Sequence, residues 1–187
     1  MESGGHLGRN PHHHIPPDFQ ERSKLWMASA ENLITEAAPF LYMAVENLMF
    51  AERFILQMEK ALMRQDENSP GPEPLLLKEC AAHSILWLFG LYEVTRILRA
   101  SHSPKFGAFS DLHRKLSVLR IPLAKHQVKN APNYRDTSHY PTSVWSAETG
   151  RVGWQAFNPH TNSLEVYFRT DLADEFLVVT ERLSIAP

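Results

Sequence analysis

The 187-residue sequence predicts an α+β fold, mainly α: a four-helix bundle-like body, a C-terminal three-stranded antiparallel β-meander and a short closing helix. Three observations predict it. Apolar residues recur at helical spacing through the first two-thirds of the chain. The period then drops to two on either side of a polar turn near residues 158–163. Apolar residues make up 43% of the chain and charged residues 21%, the proportions of an ordinary globular domain with a core to bury.

Residues 1–17 are polar and rich in Gly, His and Pro, with no apolar stretch of the kind a secretory signal carries, and they read as a disordered tail. His12, His13 and His14 could bind metal, although a plain polar tail explains them as well. Residues 18–130 read as the helical bundle and residues 131–187 as the meander with its helix, all in one domain. Asp18, with Glu21 three positions on, resembles a capping box after Pro16-Pro17, so a first helix is expected from 18 to about 38, with Pro39 as a break. In the second helix Phe40, Ala44, Leu48, Ala51, Phe54, Ile55, Met58 and Leu62 form the apolar row. Glu46, Glu52, Arg53, Glu59 and Lys60 largely occupy the other side. Three prolines and a glycine within residues 70–74 end that pattern in a linker.

The third helix, expected over 75–101, is apolar nearly all round between Ala81 and Val94, and such a helix must be buried all round or form part of an oligomer interface. Gly90 within it predicts close approach of a neighbouring helix. A fourth helix is expected over 110–120 and should stop at Pro122, with a loop from 130 to 142. Strands around 152–156 and 164–168 form a hairpin, and Val144-Trp145 adds a third strand. The last helix should open at Thr170 or Asp171, with Asp171, Asp174 and Glu175 at its start and Arg182 near its end, as the helix dipole favours.

The formal net charge of −2 leaves no general electrostatic footprint for nucleic acid. Cys80 is the single cysteine, so an intrachain disulfide and a paired-cysteine zinc site are excluded, and a cytoplasmic setting is expected. The apolar stretch at 80–92 falls short of the roughly 20 residues of a membrane span, so no membrane association is expected. There is no Gly-rich phosphate loop, nucleophile elbow or metalloprotease helix motif, and no cofactor is implied.

Candidate chemistry rests on a few side chains. Glu79, Cys80 and His83 lie within one helical turn, which could supply two metal ligands; without a third, no metal site is expected, and His83 reads equally as a core histidine with one hydrogen bond. Glu93 and Arg96, an ion pair on a very apolar helix, are candidate pocket residues with His83. Trp145, Trp154, Phe157, Tyr167 and Phe168 crowd the meander, near Arg151 and Arg169. They could stack bases or bind a peptide, or Trp154 and Phe168 could simply cover the bundle. Finally, Arg120-Ile121-Pro122-Leu123-Ala124-Lys125-His126 places an Arg and a His at the end of a bundle helix. With the all-α start, this resembles the HEPN superfamily, helical and usually dimeric proteins, many of them metal-independent RNases. The resemblance implies that Arg120 stabilises the phosphorane charge and His126 acts as acid or base. Two functions are therefore expected from different classes: a non-catalytic interaction or regulatory module, with a homodimer and a protein partner, or a HEPN-like RNase or inactive relative acting on RNA.

Overall fold

The computed structural model describes residues 17–34, 40–64, 73–101, 103–125 and 140–185. Its elements in chain order are α1 (Pro17–Ile34), α2 (Phe40–Met63), α3 (Pro74–Ala100), a 3₁₀ helix (Pro104–Phe109), α4 (Ser110–Lys125), β1 (Thr142–Trp145), β2 (Val152–Asn158), β3 (Ser163–Phe168) and α5 (Arg169–Ile185). The chain is α+β and mainly α, with a three-stranded antiparallel sheet in the order β1-β2-β3 and a helix after it. The expected tail at 1–17 lies outside the described residues with its histidines, except that Pro17 already belongs to α1; the break at Pro39, most of the proline linker and the loop segment 126–139, including His126, also lie outside them.

Local signals explain most boundaries. Pro17 opens α1, where its missing N–H costs nothing. Glu73 caps α3: its carboxylate accepts from the backbone N–H groups of Leu75 and Leu76, and Pro74 takes the first helical position. Pro122 does not end α4, which runs on to Lys125. A proline removes one backbone donor and crowds the preceding turn, which costs helix stability but does not by itself end a helix.

Helices α1, α2, α3 and α4 pack successively, α5 lies against α1, and β2 rests on α3 and α4. The centre is aromatic. Trp26 stacks on Phe176 at 5.4 Å and meets Trp87 edge-on at 6.3 Å, while Trp154 is completely buried. Gly90 does admit a neighbour, since a Cβ there would lie 3.0 Å from Leu48 of α2. By length and composition α3 could cross a membrane; in this fold it packs against α2, α4 and β2 with Trp87, Leu88, Leu91 and Leu98 turned inward.

The polarity of α2 differs from the expectation. Glu52 and Glu59, assigned to the polar side, are 1% and 5% exposed, whereas Phe40 and Phe54, assigned to the buried row, are 79% and 48% exposed. Charge complementarity rotates the helix. Arg169, at the β3–α5 junction and fully buried, donates to Glu52 at 2.7 Å and to Glu59 at 2.9 Å. Arg22 of α1 gives two bonds of 2.8 Å to Glu52 and one of 2.6 Å to Asp174. Trp26 Nε1 also donates to Glu52, and the backbone N–H of Val152 donates to Glu59 at 2.9 Å. Burial alone would raise the Glu52 pKa, but the hydrogen bond from Arg22 and the charges of Arg169 and Arg22 outweigh it and hold the carboxyl below its ordinary value. One ionic cluster thus ties α1, α2, β2 and α5 together.

In the sheet, Trp154 faces Tyr167 and Gly153 faces Phe168. Tyr167, rather than Phe168, therefore shares the inward face with Trp154, and Phe168 lies on the opposite face with the Arg151 guanidinium 4.4 Å from its ring centre. The β2–β3 turn includes Asn162 at φ 55°, a left-handed conformation that asparagine tolerates. Glu165 clasps this turn by accepting from Thr161 and Tyr167 hydroxyls at 2.5 Å and from Asn158 Nδ2 at 3.0 Å. Those bonds, Thr161's first, pull its pKa down to about 2 from 4.5. The folded carboxyl is the stronger acid, so its stabilisation is complete above pH 4.5 and lost as the pH falls through about 2. Following the Glu165 side-chain carbon by NMR should give that midpoint, and Thr161→Val should move it upward; a midpoint at the ordinary value in the native protein contradicts the clasp.

Candidate functional site

Two surfaces stand out, one apolar and open, the other a pocket with polar and apolar walls. The apolar surface runs along α2 and α3. On α2, Phe40, Met43, Asn47, Phe50, Phe54, Gln57 and Ala61 alternate in steps of three and four and contain no charge. Such spacing is the seam of a helix–helix contact, yet within this chain the row faces outward: Phe40, Met43 and Phe54 are large exposed apolar residues. On α3 the neighbouring row carries Leu86, 66% exposed, with Ala82 also exposed and Phe89 half-buried. His83 joins the two rows by meeting Phe54 edge-on at 5.0 Å. It is therefore an exposed residue of this face, not a core histidine. Helix α3 is buried on its inner side only, and the side left open is the one that Leu86 occupies.

The pocket lies between α3, α4 and the β2–β3 turn and has a volume of about 380 Å³. Tyr92 and Arg99 come from α3, His113, Arg114 and Ile121 from α4, and Pro159 and His160 from the turn. His113 is buried, its Nδ1 lying 3.0 Å from Thr95 Oγ1. The same Thr95 hydroxyl lies 2.9 Å from the Tyr92 carbonyl, to which it can donate. Burial lowers the His113 pKa first, then the positive charges of Arg99 and Arg96, against an opposing pull from Glu93, and the ring is neutral at neutral pH.

Three of the sequence candidates converge beside this pocket. Glu93 pairs with Arg96 at 2.6 Å and lies 3.7 Å from Arg120, whose guanidinium is 4.8 Å from the Tyr92 ring centre; the other partner of that ring is His113, stacked at 4.8 Å. The Glu93–Arg96 pair is solvent-accessible, so it is not a charge forced into the core. Arg120 lies within α4, not at its end. His126 lies outside the described residues. Glu79 and His83 are exposed while Cys80 is buried, so those three do not share a site. Burial, then the charge of Glu59, pushes the Cys80 thiol up to about 12, which removes it as a nucleophile. Among the described residues no three His, Cys, Asp or Glu side chains gather as a metal site.

His113, Arg99, Arg114 and His160 were not candidates on sequence grounds. The available signal was His113 beside Leu112 and Leu116, a polar residue next to the apolar row of α4. No protein-family model matches the chain, and comparison with curated proteins and with solved structures finds no match.

Proposed function

We propose that this protein is a non-catalytic interaction module that works as a homodimer, two copies docking through the α2–α3 face. The uncharged row on α2 carries the reading. A surface row with alternating three- and four-residue steps fits a partner helix with the same pattern, and the α2 of a second copy is such a helix. Fully covering one large apolar side chain contributes about 1.5–3 kcal/mol, and such gains from both copies act against the entropy of association. Arg120 is occupied by Glu93 and Tyr92, which supports this reading over RNase chemistry, where its charge must be free to meet a phosphorane.

Equilibrium sedimentation tests the proposal. The native chain should sediment at twice its 21.4 kDa mass, and a Phe54→Glu, Leu86→Glu variant at 21.4 kDa with unchanged helix content. Both positions are exposed in the single chain, so the substitutions should not unfold it. A native chain that stays monomeric at high concentration, or a variant that dimerises as well as the native chain, contradicts the proposal.

A further inference from the structure

We propose that the pocket between α3, α4 and the β2–β3 turn binds a small amphiphilic oxyanion, an apolar carboxylate or a phosphate monoester. Its volume of about 380 Å³ lies within the range of small-ligand sites. The walls are graded along α4. His113 and Arg114 stand at one end and Ile121 and Pro122 at the other, about 12 Å apart at 1.5 Å per residue. Because α4 runs back along α3, with His113 against Thr95 and Arg120 against Glu93, Arg99 falls at the His113 end. One end is therefore cationic and the other apolar.

The charges at the cationic end are unequal in what already balances them. Arg96 and Arg120 share Glu93, and Arg114 holds Asp111 at 3.1 Å. Arg99 meets no carboxylate among the described residues, and the neutral His113 beside it supplies none. An oxyanion head fits there, with Arg99 as its main partner and Arg114 as the second, through charge-assisted hydrogen bonds. The body of the ligand then lies over Val118, Ile121 and Pro122. His113 and Arg120 already lie against the Tyr92 ring, so the apolar end is a general hydrophobic wall and no ring stacking is required.

Calorimetric titration with 4-phenylbutyrate and with phenyl phosphate tests this. At least one should bind saturably, and which of them binds more tightly separates the carboxylate from the phosphate source. For the acid, 4-phenylbutan-1-ol and acetate should each bind about tenfold or more weakly, since one lacks the charge and the other the apolar body. Arg99→Gln should weaken the preferred probe by about tenfold or more with the circular dichroism spectrum unchanged, because Arg99 is exposed. The proposal is overturned if neither anion saturates, if the alcohol binds as tightly as the acid, or if Arg99→Gln binds like the native chain.

Discussion

Replacing Arg169 with methionine should destabilise the fold by about 3–5 kcal/mol, the expected cost of removing one partner from a buried ion cluster. Arg169 has no solvent exposure and spans Glu52 and Glu59 at 2.7 and 2.9 Å. Methionine fills much of the same space, so the loss is electrostatic more than steric. Glu59 would then keep only the Val152 N–H among the bonds described above, and Glu52 would keep Arg22 and Trp26. A buried carboxylate in that position either remains charged at high cost or takes up a proton. Denaturant unfolding of the native and variant chains measures the difference. Converting both glutamates to glutamine in the Arg169→Met background should recover part of it, since neutral amides no longer need a cation. A loss below about 1 kcal/mol for Arg169→Met would show that the cluster is a solvated surface pair.

Gly153→Val should cost about 3 kcal/mol or more, the upper range for overpacking, because the obstacle is backbone. A Cβ at 153 would lie 2.3 Å from the Tyr167 carbonyl oxygen and 2.9 Å from the Phe168 Cα, and main chain cannot swing aside as a side chain can. Strand β3 would have to move away from β2, and α5 begins immediately after it at Arg169, so the ionic cluster would be pulled as well. Unfolding followed by Trp fluorescence and by far-ultraviolet circular dichroism should therefore shift together. A sheet that unfolds first, with the helices intact, would mean that the meander is an appendage.

The elements were largely legible because their causes are local. Apolar spacing in α2 and α3, the proline-rich linker that separates them, and the change to period two on either side of Asn158–Ser163 all act within a few residues. The orientation of α2 was not legible. Hydrophobicity placed Phe54 inside and Glu52 outside, whereas the partners that draw Glu52 and Glu59 inward, Arg22 and Arg169, stand 30 and 117 or 110 residues away. The seven-residue spacing of those two glutamates on a helix was the available hint, since it puts both on one face. Pro122 misled in the other direction, because a proline weakens a helix without necessarily ending it.

The site was legible in part. Glu93, Arg96 and Arg120 do come together, with Arg120 over the Tyr92 ring of the pocket wall, but none of the three lines the pocket. Its interior depends on His113, however, whose role follows from a hydrogen bond to Thr95 across two helices. The apolar circumference of α3 suggested either a central helix or an interface, and the fold gives it an inner side packed against α2, α4 and β2 and an exposed outer side carrying Leu86.

On this proposal two copies meet through α2 and α3. The most direct measurement is the dipolar coupling between spin labels attached at Gln57→Cys, an exposed position on that face; the buried Cys80 thiol should not react. The expected result is an intermolecular coupling that disappears on dilution with unlabelled protein and in the Phe54→Glu, Leu86→Glu background. Absence of any coupling at a concentration where the native chain sediments as a dimer would contradict it, because the contact would then lie on another face.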